Sequence, residues 1–211
     1  RPFSELAKEF PAIDGEMRNQ QEQTFESKNK RRPTHEQTNP NALPVGDDPL
    51  AAQSYQPLYP AAPIGANWQA LSGSGYPPDP SGAAGPNHYV QAVNTQYRVY
   101  NKTGTPIGNA LNLSSLWSGS TNDGDPIVLY DKYADRWFIS QFQLSGNEIL
   151  VAVSTTSNPT GSYYTWTFVP QASQFPDYFK FSIWHDGYYM SANWNERTVV
   201  FDRAAMLAGN S

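Results

Sequence analysis

Short segments rich in β-branched and aromatic residues fill the chain after residue 80. Gly, Asn, Asp or Pro separates them, and this alternation is typical of strands joined by turns. The sequence therefore predicts nine strands, at residues 88–94, 97–101, 126–131, 136–142, 148–154, 163–169, 179–184, 187–193 and 198–202. No long helical period competes with these strands, and a helical turn is expected only over residues 203–207. This part of the chain is predicted to be all-β.

The predicted strands repeat with a period of about 50 residues. An Asn or Asp stands two positions before an aromatic residue at three places, residues 87, 135 and 186. Eight to ten residues before each turn lies an aspartate next to a proline, namely Asp79, Asp125 and Asp177. Four antiparallel strands in each repeat of this length are typical of the blades of a β-propeller.

Three repeats predict a partial β-propeller with blades near residues 76–121, 122–174 and 175–211. Closed propellers have about four to eight blades, so three blades are not expected to close a ring. An open sheet edge invites pairing with another strand. We therefore expect the remaining downstream blades, or another protein chain, to cover this edge.

Residues 1–75 differ in composition from the rest. Residues 1–50 hold 16 of the 33 charged side chains and only three of the 29 aromatic ones. Frequent prolines interrupt any helix between residues 31 and 80. The sequence predicts an extended or partly disordered N-terminal arm that lies on a β-sheet or on a partner. The basic run at residues 28–32 is interpreted as a solvated stretch.

Charge and composition exclude several classes of protein. The net charge of −5 gives no basic surface for nucleic acid, and no run of 18 apolar residues predicts a transmembrane segment. Without cysteine, the chain cannot form disulfides, thiolate metal sites or a cysteine nucleophile. It begins with arginine, and no signal-peptide pattern opens it.

Several segments together resemble a family of large secreted bacterial proteins. The segments lie at residues 85–94, 116–119, 122–142, 151–168, 175–193 and 201–207, and they include NDGDPIVLYD, ADRWFISQF and DGYYMS. The resemblance implies a propeller-like β domain in a secreted or cell-surface protein, often exported across the outer membrane with a C-terminal sorting domain. Family members usually have a Pro-Lys pair after the FPDY tyrosine, whereas Phe179 precedes Lys180 here.

A dense group of oxygen-bearing side chains is the first candidate site. It comprises Asn122, Asp123, Asp125, Asp131 and Asp135. Calcium accepts six to eight oxygen ligands in flexible geometry, so Asp123, Asp125 and Asp131 are candidate Ca²⁺ ligands. The alternative is that these aspartates bond to their own backbone in turns.

The repeated aspartates Asp79, Asp125 and Asp177 are the second candidate site. If each begins an inner strand, the three carboxylates converge at one mouth of the central channel. They could then act as acid and base in glycoside cleavage, which needs two carboxyl groups about 5–9 Å apart. The alternative is that each aspartate bonds the backbone where a strand begins.

Two hypotheses explain the many aromatic residues. They could form a sugar-stacking platform or the cores of the blades. The residues concerned are Trp117, Trp137, Tyr163, Tyr164, Trp166, Trp184 and Trp194. His88 and His185 are interpreted as turn and packing residues, because no serine-nucleophile motif accompanies them.

The sequence as a whole favours a secreted or cell-surface binding or adhesion module on a β-propeller scaffold, with calcium as a candidate stabiliser. Its ligand would be a glycan or a surface protein. The rival hypothesis is a propeller glycoside hydrolase that uses Asp79, Asp125 and Asp177.

Overall fold

The structure, a computed structural model, describes residues 65–73, 75–194 and 197–210. Over these residues the chain forms three antiparallel β-sheets. Sheet 1 contains β1 (Ser81–Ala84), β2 (His88–Val93), β3 (Gln96–Asn101) and β4 (Pro106–Asn112), in that order, and a 3-10 helix follows at Leu113–Leu116. Sheet 2 contains β5 (Ile127–Asp131), β6 (Arg136–Gln143), β7 (Glu148–Ser154) and β8 (Tyr163–Phe168). Sheet 3 contains β9 (Lys180–Ile183), β10 (Gly187–Ser191) and β11 (Thr198–Asp202), and α1 (Arg203–Leu207) follows it.

The all-β prediction is confirmed, and the sheets follow the predicted repeat. The three predicted turns lie immediately before β2, β6 and β10. The third sheet differs from the prediction of four strands, because within the described residues β11 pairs only with β10. β1 and β4 were not predicted from the sequence.

The first strands of the three sheets lie side by side and run in the same direction. Near the start of β1, the Ser81 hydroxyl accepts a hydrogen bond of 2.9 Å from the Val128 amide near the start of β5. Just after β1, Gly85 lies against the ring of Tyr130 near the end of β5. β5 in turn contacts β9. One end of the assembly therefore carries the starts of these inner strands, and the opposite end carries the turns that follow them.

Sheet 2 is the central layer and buries both of its faces. Along β6, Trp137 and Ile139 pack into a cluster shared with sheet 1, whereas Phe138 and Phe142 pack into a second cluster shared with sheet 3. Successive side chains of a strand point to opposite faces, so both sets can be buried at once. This explains why three successive residues of β6, from Trp137 to Ile139, are all apolar instead of alternating with polar residues.

The described residues of the predicted arm contact sheet 1. The Leu71 amide donates a hydrogen bond of 2.8 Å to Oε1 of Gln91 on β2. The Trp68 ring lies edge-on to Tyr89, with 5.9 Å between the ring centroids. Residues 65–73 contain no helix or strand. The predictions for residues 1–64, including the basic run, lie outside the described residues.

None of the helices in the described part of the chain is long and apolar enough to cross a membrane.

Candidate functional site

The three inner strands begin with the same backbone geometry. Two residues before each strand, at Asp79, Asp125 and Tyr178, φ is positive, with values of 35°, 46° and 53°. The carbonyl of the preceding residue accepts a hydrogen bond from a residue just after, or near the end of, the second strand. These bonds are Asn94 N to Pro78 O at 2.9 Å, Phe142 N to Gly124 O at 3.2 Å and Asn193 N to Asp177 O at 2.8 Å.

This geometry corrects the predicted alignment of the third repeat. Asp79 and Asp125 are equivalent to Tyr178, and Asp177 lies one position earlier, equivalent to Pro78 and Gly124. A left-handed φ is common for Asp and unusual for a bulky residue such as tyrosine. An alignment of the repeats by residue type matches Asp177 with Asp79 and Asp125. The backbone geometry instead matches Tyr178 with these two aspartates.

The starts of the inner strands line one open groove of about 260 Å³. Asp79 and Asp125 contribute carboxylates, Tyr178 contributes an exposed ring and Lys180 contributes an ammonium group. The structure thus brings two of the three predicted aspartates together in this groove, which we call the strand-start groove. Asp177 is not among the lining residues.

Lys180 places a positive charge among the acidic side chains. Its Nζ lies 3.5 Å from the centroid of the Tyr178 ring and donates a hydrogen bond of 3.1 Å to the Phe179 carbonyl. Partial burial lowers the pKa of Lys180, and the charges of Asp125, Asp79 and Asp177 oppose this shift. The ammonium therefore offsets part of the repulsion between the carboxylates.

Asn94 forms hydrogen bonds with both aspartates of the strand-start groove. Its side chain is buried, and its Nδ2 donates hydrogen bonds to Oδ2 of Asp79 at 2.6 Å and to the Pro77 carbonyl at 2.8 Å. Its Oδ1 accepts a hydrogen bond of 2.9 Å from the Asp125 amide. One amide side chain thus fixes the starts of both β1 and β5. In sheet 3, Asn193 Nδ2 similarly donates to Asp177 Oδ2, at 3.2 Å.

The three predicted calcium ligands do not form one site. Asp125 precedes β5 and Asp131 ends it, and six residues of extended chain span about 20 Å. Asp131 and Asp125 therefore cannot bind the same ion, which corrects the predicted ligand set. Among the described residues, no group of three acidic or histidine side chains is arranged to hold a metal ion. A calcium site that uses Asp123 or Asp125 with carbonyl oxygens stays a prediction.

Asp123 and Asp131 have identified protein partners. Asp123 Oδ2 accepts hydrogen bonds from the Thr121 hydroxyl at 2.5 Å and from the Leu144 amide at 2.9 Å. Asp131 is fully buried, and its Oδ2 lies 2.6 Å from Nε of Arg203. Asp131 Oδ1 also accepts a hydrogen bond of 3.0 Å from the Tyr133 amide, so this aspartate bonds a turn as the alternative interpretation expected.

The two other oxygen donors of the predicted cluster also bind protein groups. Asn122 Oδ1 accepts a hydrogen bond of 3.1 Å from the Ser114 amide, and its Nδ2 donates to the Thr95 hydroxyl at 2.7 Å. Asp135 forms a short hydrogen bond with the Tyr130 hydroxyl.

Most of the aromatic candidates belong to the core. Four of the seven have exposed fractions below 10%, and these are Trp117, Trp137, Tyr163 and Trp194. Trp166 is partly buried, whereas Tyr164 and Trp184 are exposed. Of the histidines, His88 is partly buried and its pKa is lowered by burial, and His185 is exposed beside Trp184.

Comparisons of this chain with protein-family models, with curated proteins and with solved structures found no match.

Sequence reasoning missed Asn94, Tyr178 and Lys180. A signal for Asn94 was present, because an asparagine follows the second strand in both the first and third repeats, at residues 94 and 193. A signal for Lys180 was also present, since a lysine stands three residues after the aspartate of the third repeat. The groove therefore combines two acceptor groups, one donor cation and one exposed ring, which together suit a ligand rich in hydroxyl groups.

Proposed function

We propose that this chain is part of a secreted or cell-surface binding or adhesion module built on a β-propeller. Three antiparallel sheets whose first strands lie side by side in one direction support this architecture. The resemblance to secreted bacterial proteins supports the location. The described part of the chain contains three sheets, so the complete propeller needs further blades or another chain at its open edge.

The strand-start groove carries the proposal. It places the two carboxylates and the ammonium group around one opening, next to the exposed ring of Tyr178. Carboxylates accept hydrogen bonds from sugar hydroxyls, and the lysine can donate to sugar oxygens. A tyrosine ring can cover the apolar face of a sugar. A glycan is therefore the ligand that this set of groups fits best.

Binding without turnover fits these groups better than hydrolysis. A retaining or inverting glycosidase needs one carboxylic acid that donates a proton and a second carboxylate on the other side of the bond. Asp79 is already held by Asn94, and Asp177 lies outside the residues that line the groove. The rival hypothesis keeps one supporting observation, which is that Asp79 and Asp125 share a groove.

Glycan-array binding of the full-length protein tests the proposal. Tyr178→Ala and Asp125→Asn should each lower binding to the best glycan by about tenfold or more, because each removes a group that lines the groove. Tyr164→Ala is the matched control, since it removes an exposed ring on β8, the strand farthest from the inner strand of sheet 2. Unchanged binding in both groove variants would contradict the proposal.

The same glycans should be incubated with the protein and the products analysed by chromatography. A binding module leaves them intact. Release of shorter sugars that is abolished by Asp125→Asn would establish the hydrolase instead.

A further inference from the structure

The end of the molecule opposite the strand-start groove carries an exposed aromatic cluster. Tyr133 lies in the turn between β5 and β6, and Trp184 and His185 lie in the turn between β9 and β10. The exposed fractions are 54% for Trp184 and 44% for Tyr133. Tryptophan is highly buried in most proteins, so two neighbouring exposed rings on one surface indicate an interaction site.

Neighbouring rings support Trp184. Its centroid lies 4.3 Å from that of His185, with the planes inclined at 44°, and 6.3 Å from that of Tyr133, nearly perpendicular. His185 in turn lies 5.1 Å from Tyr133. These contacts hold the tryptophan ring in place while more than half of its surface faces solvent. A ring held in advance loses little conformational freedom when a ligand stacks on it.

The cluster also has charged and polar groups around it. Lys132 Nζ and Arg203 Cζ lie 5.1 and 5.9 Å from the centroid of the Tyr133 ring. The exposed Asp186 follows His185 in the same turn, and its Oδ2 accepts a hydrogen bond of 2.9 Å from the Tyr189 hydroxyl. Arg203 is buried and its guanidinium already bonds Asp131, so a ligand stacked on Trp184 would find a cationic donor in the exposed Lys132 and a carboxylate acceptor in Asp186.

We propose that the Tyr133–Trp184–His185 surface is a second, independent glycan site that stacks a pyranose ring of a β-linked, gluco-configured chain. Such a ring has its hydroxyls in equatorial positions, so both of its faces present only C–H groups to an aromatic ring. The equatorial hydroxyls then point outward, toward acceptors and donors such as Asp186 and Lys132. A cationic ligand fits less well, because Lys132 and Arg203 already lie over Tyr133.

Cellohexaose and chitohexaose are the probes for this site, added to the full chain and followed by tryptophan fluorescence and by calorimetry. At least one of them should bind at millimolar concentration or below. Trp184→Ala should lower that affinity about tenfold or more, since aromatic anchors dominate the binding energy of such sites. Trp184→Phe keeps a ring and should retain an intermediate affinity.

Two matched variants make the result specific. Tyr164→Ala removes an exposed ring on β8, and Tyr178→Ala removes the ring of the strand-start groove. Both should leave cellohexaose and chitohexaose binding at this site unchanged, so that failure of the groove and failure of this site give different results. Melting temperatures should match among all variants, because each replaced ring is exposed. Absence of binding by wild type, or equal affinity of wild type and Trp184→Ala, would overturn the inference.

Discussion

The buried ion pair between Asp131 and Arg203 gives the sharpest test of how the sheets are held together. Asp131 ends β5 in sheet 2, and Arg203 begins α1 after sheet 3. The guanidinium donates through Nε to Oδ2 at 2.6 Å and through Nη2 to Oδ1 at 3.1 Å. The Asp131 side chain is fully buried and that of Arg203 is 10% exposed. Arg203→Met keeps a long side chain but leaves a buried carboxylate without its cation.

The expected loss follows from the bonds that remain. Removing one partner of a buried pair costs about 3–5 kcal/mol, because the other charge stays desolvated. Asp131 keeps three donors in Arg203→Met, the Tyr188 hydroxyl at 3.0 Å and the amides of Tyr133 and Ala134 at 3.0 and 3.3 Å. These bonds still favour the carboxylate, so we expect a loss of about 3 kcal/mol, at the low end of the range.

Urea unfolding of the full chain measures this loss. Asp131→Asn should also destabilise, since it leaves the guanidinium with a neutral acceptor. The double variant should cost less than the sum of the two single variants by about 2 kcal/mol, because the pair can be broken only once. Arg98→Met is the control, since its guanidinium donates to the Gly108 carbonyl in an exposed hydrogen bond and lies 5.9 Å from the Tyr100 ring instead of pairing with a buried carboxylate, and its loss should be about 0.5 kcal/mol or less. Equal losses for Arg203→Met and Arg98→Met, or full additivity in the double variant, would refute the reasoning.

Three further predictions concern packing, metal and pH. Gly85→Ala should lower the free energy of unfolding by about 1–3 kcal/mol, because a Cβ there would lie 2.8 Å from the Trp137 ring; an unchanged stability would show that this contact between Gly85 and sheet 2 can relax without cost. If calcium binds Asp123 or Asp125 with carbonyl oxygens, it should stabilise by about 2.7 kcal/mol at 100 times its dissociation constant, and equal melting temperatures with calcium and with chelator would contradict the site. Burial and the nearby Asp131 raise the pKa of Tyr188, so the folded state holds this proton more tightly than the unfolded chain. Its contribution to stability is therefore present below pH 10.0 and is lost as the pH rises above it, by up to about 1.4 kcal/mol per unit, and Tyr188→Phe should make this alkaline loss less steep.

Strands rich in apolar and β-branched residues could be predicted from the sequence, whereas strands built from small or polar residues could not. β7 and β11 have the predicted bounds, since they consist largely of apolar or β-branched residues between turns. β1 has the sequence SGAA, which carries no strand signal. Small residues are needed there because a Cβ at Gly82 would collide with the Tyr89 ring. Close packing thus requires small residues in β1, and small residues give no strand signal in the sequence.

The second missed strand, β4, contains glycine, asparagine and alanine, which are depleted in strands. Its pairing with β3 shifts register between Tyr97 and Val99. Such an irregularity breaks the alternation on which a strand prediction depends.

The position of the groove aspartates could be predicted from the sequence, whereas the ion pair of Asp131 could not. Asp79 and Asp125 share a groove because each stands where an inner strand begins, and this followed from the repeat. The role of Asp131 could not follow, because its partner Arg203 lies 72 residues along the chain. No local sequence pattern indicates an ion pair between residues that far apart. An aspartate that bonds a turn therefore cannot be distinguished by sequence from one that forms a buried ion pair.

The third repeat changes the electrostatics of the groove. Two carboxylates that share a groove repel each other, and a third at the Tyr178 position would add to that repulsion. The chain instead places a tyrosine there, and Lys180, two residues later, supplies a positive charge near all three aspartates. A cation arriving from solution would compete with this ammonium, whereas a neutral ligand rich in hydroxyls would meet acceptors and a donor already arranged. This difference favours a sugar over a metal ion as the occupant of the strand-start groove.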